Sequence, residues 1–425
     1  MAQFKVEPVA VKEYVPLKGA AVLLAQARLI RSGIPCSLGL STVEEKHFTA
    51  RYAVHVEELS AVSIRSYQLG GSEVIFEPDP ENGRYEDGLH RRLEKAALRS
   101  LYTLGVDEGE VIITARPGRR YVVEGVRMKA GRNKTVMSAK GKQAAGFHAH
   151  NEVSEFPLTP PLLMGMDPEF VLMKDNGDIV YASEFMERGG SVGSDAVRYR
   201  GEVIYPIAEL RPLPRARPKE LVIEMQKALR QAQSLITDHS LTWRAGALPY
   251  GDFPLGGHIH FSGVPLSLSL LQTLDNYLAL PLALLEDPKG RLRRPRYGYL
   301  GDFRRQPYGG FEYRTLPSFL VSPLVAKVSL YVAYLAARYS DRLLARPFNT
   351  ERYHRAYYEG DKSVLQECIA GWHRDLSALP EYSDFAREIE LALAHMEAGR
   401  VWDESRDIRP LWNIPVQEVV QKVRF

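Results

Sequence analysis

The sequence predicts an α+β protein with a small mixed α/β unit in front of a larger one, and three observations predict it. A chain of 425 residues exceeds what one typical core organises and suits two or three compact units. Residues 1–126 interleave helical and strand-like patterns, whereas from about residue 155 short apolar runs carrying acidic and basic residues alternate with long helical patterns. Hydrophobic residues at 45% and charged residues at 25% are ordinary globular usage, which sets aside collagen-like, disordered and membrane classes.

In the first unit, GAAVLLAQARLIRSG is helical in pattern and stops at Gly33. HFTARYAVHV alternates Phe48, Ala50, Tyr52, Val54 and Val56, the period of a half-buried strand. GLHRRLEKAALRSLYTLG repeats Leu89, Leu93, Ala97 and Leu101 at the spacing of one helix face, and EVIITA and RYVVEGV read as two further strands. No catalytic constellation is visible here. Residues 127–154 read as a basic linker: RMKAGRNKTVMSAKGK holds six Lys or Arg residues, no acid and no apolar period. A segment that meets phosphate groups is the alternative for it, and the His148/His150 pair just beyond has no strand pattern around it.

In the second unit, residues 155–425, RPKELVIEMQKALRQAQSLI opens on Pro218 and repeats Leu221, Met225, Leu229 and Ala232, as a helix does. The most apolar stretches, VPLSLSLLQTLDNYLALPLALL and PLVAKVSLYVAYLAARY, are interrupted by Gln272, Asp275, Asn276 and Lys327, so they read as buried helices and not as membrane spans. The net charge of +3, from 55 basic and 52 acidic residues, argues against a surface made to receive nucleic acid. Cys36 and Cys368 make neither a disulfide framework nor a zinc knuckle, and the N-terminus lacks the order of a secretion signal; a reducing, cytoplasmic setting is expected.

Four segments of the second unit share one feature, two polar residues at i and i+2 within a strand-like run: Asp167 and Glu169 in GMDPEF, Glu209 and Arg211 in AELRP, His258 and His260 in GGHIHFS, and Glu312 and Arg314 in GGFEYR. Successive strand side chains point to opposite faces, so each pair projects from one face. A face collecting four carboxylates, two imidazoles and two guanidiniums calls for a counter-ion. Its oxygen-rich ligands suit magnesium or manganese better than zinc, and the arginines suit anionic substrate groups. Pro168 argues against GMDPEF as a central strand and for an edge or a first position. MERGGSVGSDAV reads as a loop that approaches a ligand, with Asp195 pointing into the cleft, or as an ordinary turn. The arginine-rich stretch from Arg291 to Arg305 reads as a flap with Arg304 over the substrate, most of its arginines being surface charge.

Together GMDPEF, VGSDAV…AELRP, GGHIHFSG, PYGGFEYRTLPSF and DIRPLWNI resemble the phage-type carboxylate–amine ligases (amidoligases) of the glutamine synthetase and γ-glutamylcysteine ligase superfamily, over residues 160–415. The resemblance implies a glutamine synthetase-like curved, mainly antiparallel sheet flanked by helices. It implies an ATP-dependent ligase that forms an amide through an acyl phosphate, with Mg2+ or Mn2+ as the cation. Asp167, Glu169, Glu209, His258 and Glu312 would bind metal, and Arg314, Arg211 and Glu312 would serve the chemistry. Arg304, Arg314, His260 and Asp195 would meet the nucleotide, His260 alternatively orienting substrate. The partners implied are small-molecule or peptide carboxylates and amines, with homo-oligomerisation left open. Two other readings compete: a zinc hydrolase using His258 and His260, for which the remaining histidines, such as His239 and His354, lie outside comparable motifs, and a non-catalytic binding protein on the same fold.

Overall fold

The structure, a computed structural model, describes residues 14–39, 50–67, 73–80, 83–116, 120–129 and 161–416. Most of the basic linker and the His148/His150 pair lie outside the described residues. The chain divides into two compact units, Met1–Gly146 with Asn349–His354, and Phe147–Phe348 with Arg355–Phe425.

In the first unit six strands, β1 (Tyr14–Pro16), β2 (Ala50–Glu57), β3 (Ser60–Tyr67), β4 (Glu73–Phe76), β5 (Gly109–Arg116) and β6 (Arg120–Lys129), form an antiparallel sheet in the order β1-β6-β5-β2-β3-β4. Helices α1 (Ala20–Arg31) and α2 (Gly88–Thr103) accompany it. Tyr52, Val54 and Val56 of β2 are buried in one core with Leu93, Ala97 and Leu101 of α2, but Ala53 and His55 between them are buried too, so β2 is covered on both faces and not half-buried as expected; Phe48 lies outside the described residues. The α1 stop follows from Gly33, whose φ of 72° is costly for any residue with a Cβ.

The second unit is a mixed helix and antiparallel-sheet structure. Its strands are β7 (Leu163–Met173), β8 (Ile179–Val180), β9 (Val192–Tyr199), β10 (Glu202–Leu210), β11 (Thr242–Arg244), β12 (Gly257–Ser262), β13 (Phe303–Arg305) and β14 (Phe311–Tyr313). The order is β13-β14-β12-β7-β10-β9, with β8 and β11 also pairing with β7. Strand β7 is thus central, which corrects the edge or first position expected from Pro168. Pro168 is tolerated because β10's register on β7 ends at Glu209↔Glu169, one residue short of it. Helices follow as α3 (Pro218–Leu235), α4 (Leu268–Leu274), α5 (Leu280–Leu285), α6 (Pro323–Arg338), α7 (Glu351–Glu359, of which residues 351–354 are counted with the first unit), α8 (Lys362–Gln366), α9 (Ile369–Ser377) and α10 (Ala386–Glu397). Pro218 opens α3 as expected, and α6 starts on Ser322, whose hydroxyl accepts the Val325 N–H (3.2 Å) before Pro323.

The apolar run Leu268–Leu285 passes by length and composition for a membrane span, yet 83% of it is buried within the protein. Its helix is not regular: between α4 and α5, Asp275–Ala279 forms a π-helical turn. One sheet face is apolar, with Met166, Phe170, Ile259, Phe261, Phe311 and Tyr313 buried; Phe170 stacks on Trp243 (4.9 Å) and Phe261 on Phe311 (5.3 Å). Each such ring contributes about 1.5–3 kcal/mol on burial, so this face anchors the sheet and leaves the other free to carry polar groups.

Candidate active site

Register brings the predicted residues onto that other face. Asp167 stands opposite His258 across β7 and β12, His260 opposite Glu312 across β12 and β14, and Arg304 opposite Glu312 across β13 and β14. On the far side Glu169 faces Glu209 and Glu209 faces Gly193, with Asp195 two residues along β9. Antiparallel partners project from the same face, so four short motifs scattered over 146 positions, from Asp167 to Glu312, form one surface.

At its centre, His258 Nδ1 lies 3.0 Å from Asp167 Oδ1 and 3.2 Å from Glu312 Oε1, while His260 Nε2 lies 3.0 Å from Asp167 Oδ2. Asp167 Oδ1 and Glu312 Oε1 are buried and make no aligned hydrogen bond with any described residue. Asp167, His260 and Glu312 each offer a ligand atom within 4.8 Å of the others. Buried carboxylate oxygens without well-aligned donors are costly unless positive charge meets them; His258 and Arg314 supply some of it, and the carboxylate and imidazole donors together fit a divalent metal ion.

Arginines ring the centre. Arg304 places Nε 2.6 Å and Nη2 2.5 Å from Glu312 Oε2, and Arg314 Nη1 lies 3.2 Å from Glu312 Oε1. Arg211 pairs with Glu209, and its Nη1 is buried without a hydrogen-bond partner among the described residues. Gly193 is needed there: a Cβ on it would lie 2.5 Å from Arg211 Nη1 and 2.9 Å from the Arg188 carbonyl. Gly256 serves His258 likewise, since a Cβ would meet its Nε2 at 2.3 Å. The paired glycines before His258 are therefore room for a ring and for Pro317, whose carbonyl would lie 2.4 Å from a Cβ on Gly257.

The electrostatics divide the face. Burial pushes the Glu169 carboxyl up to about 7, with Asp195 and Asp167 adding to it against the opposing His258 and the Gly256 N–H, which donates to Glu169 Oε2 (2.6 Å). Burial acts the same way on Asp167, but the two imidazoles outweigh it and hold that carboxyl below the usual range. Burial alone would depress His258; the facing Asp167 and Glu169 overcome it and raise the imidazole. Asp195 is half-buried on the same face, in strand β9 and not in the loop before it.

Of the arginine-rich stretch, Arg304 reaches the central carboxylate of Glu312. The expectation of surface charge fails for Arg293 and Arg294. Arg293 is buried and donates to the Thr315 carbonyl (2.9 Å), and Arg294 pairs with buried Glu286 over the Tyr357 ring (4.4 Å). A run of closely spaced arginines does not reveal which guanidiniums find buried acceptors. The sequence reading also passed over Gln306, whose Nε2 donates to Glu312 Oε2 (2.9 Å), and Tyr308, whose hydroxyl lies 3.2 Å from His260 Nδ1. Their signal is adjacency: Tyr308 lies within the PYGGFEYR motif, and Gln306 immediately precedes it.

A sheet face that gathers carboxylates, imidazoles and guanidiniums carries the donors that could meet a cation and anionic groups. The family described as Phage phiEco32-like COOH.NH2 ligase-type 2 matches residues 164–414, and the chain belongs to it. No curated protein matches the chain. Among solved structures it is similar to a bifunctional glutathione synthetase from Pasteurella multocida, at 12% identity and a TM-score of 0.34 over 60% of this chain and 50% of that one. It is also similar to a Plasmodium falciparum glutamine synthetase, at 9% identity and a TM-score of 0.26 over 77% and 76%. The chain spans half the length of the glutathione synthetase it matches.

Proposed function

We propose that the second unit joins a carboxylate to an amine through an acyl phosphate, on a concave sheet face of the glutamine synthetase kind, with the reacting groups gathered around Asp167, His258, His260 and Glu312. The observation that carries this reading is the convergence of the buried Asp167 and Glu312 oxygens, which make no well-aligned hydrogen bond, on His258 and beside His260. Mg2+ or Mn2+ would be held by Asp167, Glu312 and His260, with His258, Glu169 and Glu209 beside them, and would supply counter-charge to phosphate oxygens.

The chemistry needs little covalent help from the chain. An oxygen of the acid substrate attacks the γ-phosphorus of ATP and ADP leaves; the amine nitrogen then attacks the acyl carbon, phosphate leaves and the nitrogen gives up a proton. Phosphoryl transfer of this type depends on position and on charge placed around the moving group. Arg314 and Arg304, both within reach of Glu312, are the cations for the phosphoryl group and the nucleotide. Arg211, with one nitrogen on Glu209 and another free of hydrogen bonds, holds an oxygen of the acid or the phosphate. Asp195 lies at the other end of the face, toward the nucleotide or the amine.

Incubation with ATP, Mg2+ and pooled amino acids, followed by mass analysis, is expected to give ADP together with a condensed product. Glu312→Gln and His258→Ala are expected to lower turnover at least a thousandfold with folding retained; full turnover in both removes the assignment. Zinc retained without any nucleotide response would instead favour the hydrolase.

A further inference from the structure

We propose that Tyr308 is a positioning residue for His260, and that the turn joining β13 to β14 acts as an outer shell for the metal-binding donors; this rests on the metal-assisted reading above. His260 is engaged at both ring nitrogens, Nε2 at 3.0 Å from Asp167 Oδ2 and Nδ1 at 3.2 Å from the Tyr308 hydroxyl. An imidazole that offers one nitrogen to a metal needs its other nitrogen held, since that second contact selects the tautomer and the ring plane. A phenol both donates and accepts, so Tyr308 serves His260 whichever nitrogen carries the proton. Two residues earlier Gln306 donates to Glu312 Oε2 (2.9 Å), which leaves Oε1 turned toward His258. One turn thus orients two of the three donors in the central group.

The turn is built for that task. Gln306 N–H donates to the Gly310 carbonyl (2.8 Å) and Gly309 N–H to the Gln306 carbonyl (3.2 Å), and Gly309 has a φ of 84°. A Cβ on Gly310 would lie 2.6 Å from Tyr308 Cε2 and 2.4 Å from the Phe261 carbonyl. Both glycines of the motif therefore serve the placement of the phenol. Burial does not account for that placement, because Tyr308 is 61% exposed. For the same reason its replacement leaves the core untouched.

The test is Mn2+ binding to the nucleotide-free protein, followed by the electron paramagnetic resonance of free Mn2+, for the wild type, Tyr308→Phe and His260→Ala, with the 15N shifts of the His260 ring recorded in the first two. Tyr308→Phe is expected to weaken Mn2+ binding 10- to 100-fold, to move the His260 ring 15N shifts, and to leave the unfolding midpoint unchanged. If His260→Ala loses Mn2+ while Tyr308→Phe binds within twofold of the wild type, this inference falls and the metal reading stands. If the wild type binds no Mn2+, or His260→Ala binds as the wild type does, the metal reading itself falls.

Discussion

A missing methyl group matters most at Gly256. Its place beside the His258 ring, with Nε2 at 2.3 Å from where a Cβ would be, makes Gly256→Ala a change that displaces an imidazole with no change of charge. Overpacking of this kind costs about 1–3 kcal/mol, and the larger effect falls on the site. The expected outcome is a protein that folds with a lowered midpoint and has lost most of its turnover, read by denaturation and by ADP release. Retention of full turnover would show that the ring position is not critical. The i, i+2 pairs, by contrast, were legible in the sequence because a strand's period alone decides that His258 and His260 share a face. The role of each was not: a period does not say that His260 joins Asp167 and Glu312 while His258 stands between the two carboxylates.

Among the elements, the π-helical turn Asp275–Ala279 ties helix to site. Buried Asp275 accepts from the Tyr313 hydroxyl (2.7 Å) and the Gly301 N–H (3.1 Å). Tyr313 lies between Glu312 and Arg314 and points to the opposite face, so this bond fixes β14 from behind. Segment 299–302 is fixed with it, and the Asp302 carbonyl accepts the Arg314 N–H (2.8 Å). Tyr313→Phe takes one donor from a buried carboxylate and is expected to cost about 1–3 kcal/mol, together with a weaker response to ATP; chemical denaturation and nucleotide titration measure the two. The apolar run around Asp275 identified a buried helix correctly. Its π turn was hidden, since the extra residue is stabilised by partners on distant segments and leaves no periodic trace. Arg293 and Arg294 were misjudged for the same reason, their buried acceptors being the Thr315 carbonyl and Glu286.

Across the whole molecule the two units are expected to respond to different solution conditions. In the first, burial and then the nearby Arg28 and Arg31 guanidiniums hold the His354 imidazole well below its ordinary value. The folded form therefore binds fewer protons than the unfolded one once the pH drops below about 6.5. Stability is undiminished above that value and declines as the pH falls toward the depressed folded value. His354→Gln is expected to flatten the decline between pH 7 and 5, seen in thermal scans of wild type and variant. In the second unit, Mn2+ at a hundredfold excess over its Kd is expected to stabilise by about 2.7 kcal/mol, and Asp167→Asn to abolish that shift. An equal shift in the variant would remove Asp167 from the metal site.

The sequence by itself determined the polar pairs, the strands and helices that carry them, and the family, because these depend on spacing along the chain and on short motifs. Even the small β12 and β14 were readable from the alternation of His258, His260 and Glu312 with buried Ile259, Phe261 and Phe311. Only the tertiary structure decided that β7 lies at the centre of its sheet, that Arg304 and Gln306 meet Glu312, and that Tyr308 reaches His260. Those contacts depend on pairing between strands far apart in sequence, and a pairing register is set by side-chain packing across the sheet, which no local period encodes.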